Sequence, residues 1–150
     1  MQVIANNKKA FFQYFIIEKI EAGIQLLGDE VKSLRNGKAS INEAYAETKK
    51  GELFLVNSNI SAYEKSSNFN RFESKRIRKL LVRKKDISKL QGKIEKEGMT
   101  IIPIKIYFNK KGLAKIEIAI AKGKKLYDKR EDKKKKDWNI QKNRLLKNFR

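Results

Sequence analysis

Lys32 and Arg35 stand three residues apart in the stretch GDEVKSLRNG, residues 28–37. On a helix both would share one face near its carbonyl end, where the dipole favours cations. Such a pair either complements that dipole or clamps a phosphate. Glu30, in the first turn of the same stretch, is a dipole partner, an orienting group for a basic side chain, or an acceptor for a base edge. A second group lies in residues 61–75 (SAYEKSSNFNRFESK), where Tyr63, Phe69 and Phe72 interleave with Lys65, Arg71 and Lys75. Rings among cations suit base stacking and phosphate contact, or the rings plug the loop onto a core.

The third group is the C-terminal stretch. From Lys122 onward there are thirteen basic residues against four acids, a net charge of +9. Residues 132–137 (DKKKKD) are too charged to fold alone. Written on a helix, Trp138, Leu145 and Phe149 fall close to one stripe, with Lys142 between them. A helix that forms only inside a binding site has this pattern.

Other chemistries lack their residues. With no Cys and no His, the chain has no thiolate, no imidazole base and neither of the commonest zinc ligands. The acids Asp29, Glu30, Glu43 and Glu47 are scattered, with no pair at adjacent strand positions to hold a nuclease metal. No catalytic residue, metal site or cofactor is expected. The net charge of +20, from 37 Lys and Arg against 17 Asp and Glu, points to a polyanionic partner. Nucleic acid comes before an anionic membrane surface, because the tail's helical face has few large apolar residues. No apolar run approaches the roughly 20 residues of a membrane span. The N-terminus does not read as a signal peptide, so the chain is expected in the cytoplasm.

These groups need a scaffold. Residues 11–20 read as a strand, with Phe12, Tyr14, Ile16 and Ile20 on one face and Phe11, Phe15 and Ile17 on the other. Both faces are apolar at its start, which suits a strand covered at one end. Ala22-Gly23 reads as a bend or bulge, and residues 24–27 resume the strand. Residues 28–37 read as a short helix with Asp29 as N-cap, Val31 and Leu34 inward, and Gly37 at the left-handed C′ position. Residues 40–48 and 52–60 read as a hairpin across Lys-Lys-Gly. RIRKLL, residues 76–81, leads into a helix over 86–97 with Asp86 as N-cap, a stripe of Ile87, Leu90 and Ile94, and Gly98 as its stop. Residues 100–108 and 113–121 form the clearest hairpin, with Ile102, Ile104, Ile106 and Phe108 on one face and Lys105 and Tyr107 on the other. Pro103 sits near the strand's start, where a lost N–H is tolerable. The expected fold is mainly β, a small OB-like barrel with two or three helices. It spans residues 1–124 and is followed by a basic tail, 125–150, disordered when free.

Four segments together resemble one family. They are EAGIQLLGDEVKSLRNGKASINEAY (residues 21–45), RIRKLL (76–81), GMTIIPIKIYFNKKGLAKIEIAIAKGKKLYDKRED (98–132) and DWNIQKNRLLK (137–147). In this order, over nearly the whole chain, they are similar to the SmpB family, whose members bind transfer-messenger RNA in bacterial ribosome rescue. The resemblance implies a non-catalytic, monomeric protein that binds the tRNA-like part of that RNA and delivers it to stalled ribosomes. Its implied partners are transfer-messenger RNA, the decoding site and mRNA channel of the small ribosomal subunit, and elongation factor Tu in the delivery complex. Glu30, Lys32 and Arg35, with Lys105, Lys115, Lys122, Lys124 and Lys125, fall on positions it ties to RNA binding. Tyr127, Asp128, Lys129 and Arg130 fall at the entry to a tail that turns helical in an empty mRNA channel, and Trp138, Leu145 and Leu146 match its apolar contacts. Ser74 stands where Pro is common, and Asp29 where Thr is. The rival reading is a structural rRNA-binding protein of ribosomal type. It explains charge, size and barrel but not an apolar stripe in a detachable arm.

Overall fold

The computed structural model describes residues 1–63, 65, 71–124 and 126–148, except the side chains of 126–128, 132 and 145–148. Its longest hairpin joins β8 (Thr100–Phe108) to β9 (Ala114–Gly123). The turn closes because Asn109 Oδ1 accepts the N–H groups of Lys111 (3.0 Å) and Leu113 (2.9 Å), while Gly112 takes φ +77°. β9 also pairs along β2 (Tyr14–Ile24). β7 (Arg78–Leu81) lies between β2 and β5 (Glu52–Val56), and β5 pairs with β4 (Tyr45–Lys49). β4 in turn touches β8 at Ala46 and Ile101. The antiparallel pairings therefore return to their starting strand. β1 (Gln2–Asn6) adds to β8, and the two-residue strands β3 (Ala39–Ser40) and β6 (Asn59–Ile60) pair with each other.

The main core fills with Leu53, Leu55, Leu80, Ile101, Ile106, Ile116, Ile118 and Ile120. α3 (Lys84–Glu97) covers it with the expected stripe of Ile87, Leu90 and Ile94 and ends at left-handed Gly98. α2 (Gly28–Arg35) contributes buried Leu34. A smaller core of Ala10, Ile102, Ile104, Ala119 and Ala121 sits under α1 (Ala10–Gln13).

Several expectations change. A β-bulge between Pro103 and Lys105 flips the phase of β8. Ile106 and Phe108 therefore face the main core while Ile102 and Ile104 face the smaller one. Pro103 has no N–H to give the ladder, and Asn7 fastens the bulge: its Nδ2 donates to the Pro103 carbonyl (2.9 Å) and its N–H to that of Ile104 (2.8 Å). The strand expected from residue 11 begins at Tyr14, because 10–13 form a helical turn. Its apolar start is uncovered by the described residues, with Phe11, Phe12, Phe15 and Ile17 all exposed. Ala22-Gly23 is no bend: β2 runs on to Ile24, and a Cβ at Gly23 would stand 3.2 Å from Leu81 Cβ. The residue is Gly because two strands come that close.

The hairpin around Lys50 (φ +53°) and Gly51 (φ +74°) has a two-residue primed turn that matches strand twist. Its arms are shorter than expected, since 41–44 are not strand and left-handed Asn57 (φ +64°) ends the second arm. RIRKLL leads into α3 as expected and itself contains a strand of the ring, β7. Neither Asp29 nor Asp86 is an N-cap; Leu27 and Arg83 hold those positions without a side-chain cap bond. Residues 126–148 form one helix, α4 (Leu126–Asn148). Among the described residues no helix is long and apolar enough to cross a membrane.

Candidate nucleic-acid interface

α2 carries the first candidate group. Its end follows from Gly37 (φ +71°): the Gly37 N–H reaches the Leu34 carbonyl at 2.9 Å and the Lys38 N–H that of Ser33 at 3.1 Å. These two bonds close a Schellman motif. At the other end, Glu30 Oε1 accepts the Leu27 N–H at 2.8 Å.

Glu30 is 1% exposed and does far more than cap. Arg76 Nη2 donates to Oε1 at 2.6 Å, and Arg78 Nε donates to Oε2 at 2.7 Å. Burial alone would raise the Glu30 carboxyl. The hydrogen bond from Arg76, the Leu27 N–H and the charge of Arg78 outweigh it and hold the carboxyl below its ordinary value. Burial lowers the Arg78 guanidinium despite the pull of Glu30 in the other direction. Both carboxylate oxygens are thus occupied from within the chain. Of the roles open to Glu30, the geometry matches the orienting one. Arg76, partly exposed, also donates to the Gln25 carbonyl at 3.4 Å and lines a cleft of about 490 Å³ with Arg71 and Phe72. Sequence reasoning passed over Arg76 and Arg78. The signal was the alternation Arg76, Arg78, Leu80, which puts Arg78 on the same side as a core leucine.

Lys32 and Arg35 are exposed on α2. Lys32 Nζ lies 5.4 Å from the Tyr63 ring centroid, within cation–π reach. Arg35 borders a shallow cavity with Asn109, Lys110 and Gly112, at the turn end of the β8–β9 hairpin.

Lys105 lies midway along β8 and Lys115 near the turn end of β9. Lys105 Nζ is 3.9 Å from Glu117 and over the Tyr107 ring, so part of its charge is met internally. The Tyr107 hydroxyl donates to Glu21. Its burial, then that bond and the charges of Glu21 and Glu117, push Tyr107 up to about 12. Lys115 opens into a cavity of about 570 Å³ with Arg83 and Lys84.

Lys122 and Lys124 lie at the hairpin's other end. Lys122 pairs in register with Phe15. Lys124 Nζ donates to the Phe11 carbonyl at 3.0 Å and sits 5.0 Å over the Phe15 ring; Lys19 sits 5.3 Å over Phe11. Exposed rings with lysines already stacked on them are a surface that the sequence reading took for a covered strand. At about 3.3 Å per residue, the ten residues of β9 hold this corner some 30 Å from the turn beside Arg35. The expected barrel residues therefore form separate groups: Lys32 and Arg35 on α2, Lys105 and Lys115 along the hairpin, and Lys122 and Lys124 at the root of α4. Glu30 lies inside.

On α4, Lys129 and Arg130 follow one turn into the helix, and Trp138 is 61% exposed. Lys125 and the side chains of Tyr127, Asp128, Leu145 and Leu146 lie outside the described residues, as do Phe69 and Phe149.

The family model described as SmpB protein matches residues 4–148. Over 146 residues the chain is 56% identical to the SsrA-binding protein of Nitrobacter winogradskyi, spanning 97% of this chain and 92% of that protein. The SsrA-binding protein of Bradyrhizobium diazoefficiens is 54% identical with the same coverage. Among solved structures, a chain described under "tmRNA-SmpB: a journey to the center of the bacterial ribosome" matches with a TM-score of 0.67 and 46% identity. It covers 81% of this chain and 84% of its own.

Proposed function

The chain belongs to the SmpB family, and from that membership we propose that it binds the tRNA-like part of transfer-messenger RNA and delivers it to stalled ribosomes for trans-translation. One observation carries the reading. The likeness extends over residues 4–148 and so takes in both the sheet body and α4. A shared fold alone would not require the arm.

The ring of strand pairings supports an OB-like barrel as the RNA-binding body. Its lysines and arginines neutralise phosphates, and each phosphate neutralised steepens the log–log fall of affinity with salt by roughly 0.7–0.9. Glu30 acts by holding Arg76 and Arg78; Lys32, Arg35, Lys105, Lys115, Lys122, Lys124 and Lys125 meet the RNA. The protein works as a cytoplasmic monomer without catalytic residues, with elongation factor Tu in the delivery complex.

α4 is the sensor. A helix with few apolar contacts is marginal in water, so its surroundings decide whether it stays ordered. In a vacant mRNA channel, rRNA phosphates surround Lys129, Arg130 and the lysines beyond. Tyr127 and Asp128 stand at the entry near the decoding site, and Trp138, Leu145 and Leu146 gain apolar contacts. Bound mRNA occupies the same space with competing charge.

Purifying the protein from its own cells at moderate salt and sequencing the accompanying RNA tests the reading. One dominant RNA with a tRNA-like fold is expected. A mixture led by ribosomal RNA would overturn it in favour of a structural rRNA binder.

A further inference from the structure

The reading above leaves the loop after β6 without a role. Ser33 is 1% exposed, and its hydroxyl has no hydrogen-bond partner among the described residues. It lines a cavity of about 210 Å³ between the carbonyl end of α2 and that loop, together with Asn36, Lys38, Ala62, Tyr63 and Lys65. Two bonds keep the walls together. The Lys38 N–H donates to the Ser33 carbonyl at 3.1 Å, and the Ser61 N–H to that of Lys38 at 3.0 Å. Lys32 adds its ammonium from outside, against the Tyr63 ring.

The chemistry of this lining is specific. Among the described residues it holds a ring, an amide, a hydroxyl without a partner and two lysines, and no acid. The volume is below the roughly 300 Å³ at which small-molecule pockets usually begin, so a large cofactor does not fit and a single flat ring does. A hydroxyl both donates and accepts, so it can meet either kind of group on a base edge. Lysines bordering an aromatic wall suit the phosphates on either side of a splayed base.

We propose that this cavity receives one unpaired nucleotide of the bound RNA, the base stacking against Tyr63 with its edge at the Ser33 hydroxyl and its phosphate against Lys65. The proposal rests on the RNA-binding reading and adds to it a contact that selects an unstacked base.

The test is an anisotropy titration of the full chain against the tRNA-like part of transfer-messenger RNA, with every variant also melted thermally. Tyr63→Ala is expected to weaken binding roughly five- to hundredfold, the loss of one stacked base. Tyr63→Phe should bind like the unaltered chain. Ser33→Ala should weaken binding several-fold without lowering the melting temperature. Lys65→Gln should flatten the log–log salt slope by roughly 0.7–0.9. If the unaltered chain fails to bind this RNA, the functional reading falls and the nucleotide site with it. If it binds and Tyr63→Ala binds equally well, the site alone is overturned. Tyr63→Phe losing affinity and melting early together with Tyr63→Ala also overturns it, making the ring a structural plug.

Discussion

Arg78 Nε donates to Glu30 Oε2 at 2.7 Å inside the fold, where Arg78 is 0% and Glu30 1% exposed. The other donors of Arg78 are used as well. Nη1 reaches Ser58 Oγ at 2.9 Å and the Arg76 carbonyl at 3.1 Å, and Nη2 reaches the Ser74 carbonyl at 3.1 Å. One guanidinium thereby ties α2, the end of the β5–β6 segment and the approach to β7.

Removing one partner strands the other. Glu30→Gln is expected to cost about 3–5 kcal/mol, as for a broken buried pair, read from urea unfolding. Arg78→Met combined with Glu30→Leu should recover only part of that loss, since it removes the buried pair but leaves Arg76 and the Ser58, Arg76 and Ser74 acceptors without their partners. A double variant less stable than Glu30→Gln would contradict this account.

The same pair sets the acid limit. The folded Glu30 carboxyl lies below its ordinary value of 4.5, so its contribution is complete above that pH and disappears as pH falls through the folded value. Urea midpoints measured from about pH 7 to pH 2 should drop in the acid range. Glu30→Gln should flatten that limb; an unchanged acid limb in the variant would place the effect elsewhere.

Tyr107 sets an alkaline limit of opposite sense. Its hydroxyl is raised from 10.0 to about 12, so the neutral form is favoured in the fold. Stability from this group is present below pH 10 and is lost between 10 and about 12. In an absorbance titration Tyr107 should ionise late. Tyr107→Phe should remove that late phase and no other.

Gly23 allows β2 to approach Leu81, whose Cβ would meet a new Cβ at 3.2 Å. Gly23→Val is expected to cost about 1–3 kcal/mol through overpacking. Gly28→Ala, with open space around it, should cost under about 1 kcal/mol. Thermal melts of the two variants check the contrast, and equal losses would refute it.

Deleting residues 126–150 is expected to leave the melting temperature and the affinity for the tRNA-like RNA nearly unchanged while abolishing rescue of stalled ribosomes in a reconstituted translation system. A large affinity loss at physiological salt would deny the separation between body and arm.

Local pattern was legible wherever one face of an element meets one environment. The β8–β9 hairpin, the α3 stripe and the left-handed stops at Gly37 and Gly98 follow from period and turn chemistry. Reading failed where an element has two covered faces or a polar core residue. The bulge at Pro103–Lys105 sends neighbouring isoleucines to different cores. The charged Arg78 hid a ring strand in the segment that leads into α3. Among site residues, Lys32 and Arg35 emerged exposed as spacing implied, whereas Glu30 went inside.

Composition and motif order determined the polyanionic partner and the family. They act through net charge and residue type, which need no coordinates. Tertiary structure decided which charges are free to meet that partner. Glu30 and Arg78 neutralise each other in the fold, Lys105 leans on Glu117, and Lys122 and Lys124 are carried to the far end of β9 from Arg35. Charge at a position is a property of the chain, but its exposure depends on strands that pair across more than a hundred residues, as Tyr14 does with Gly123, and spacing along the sequence does not contain that distance.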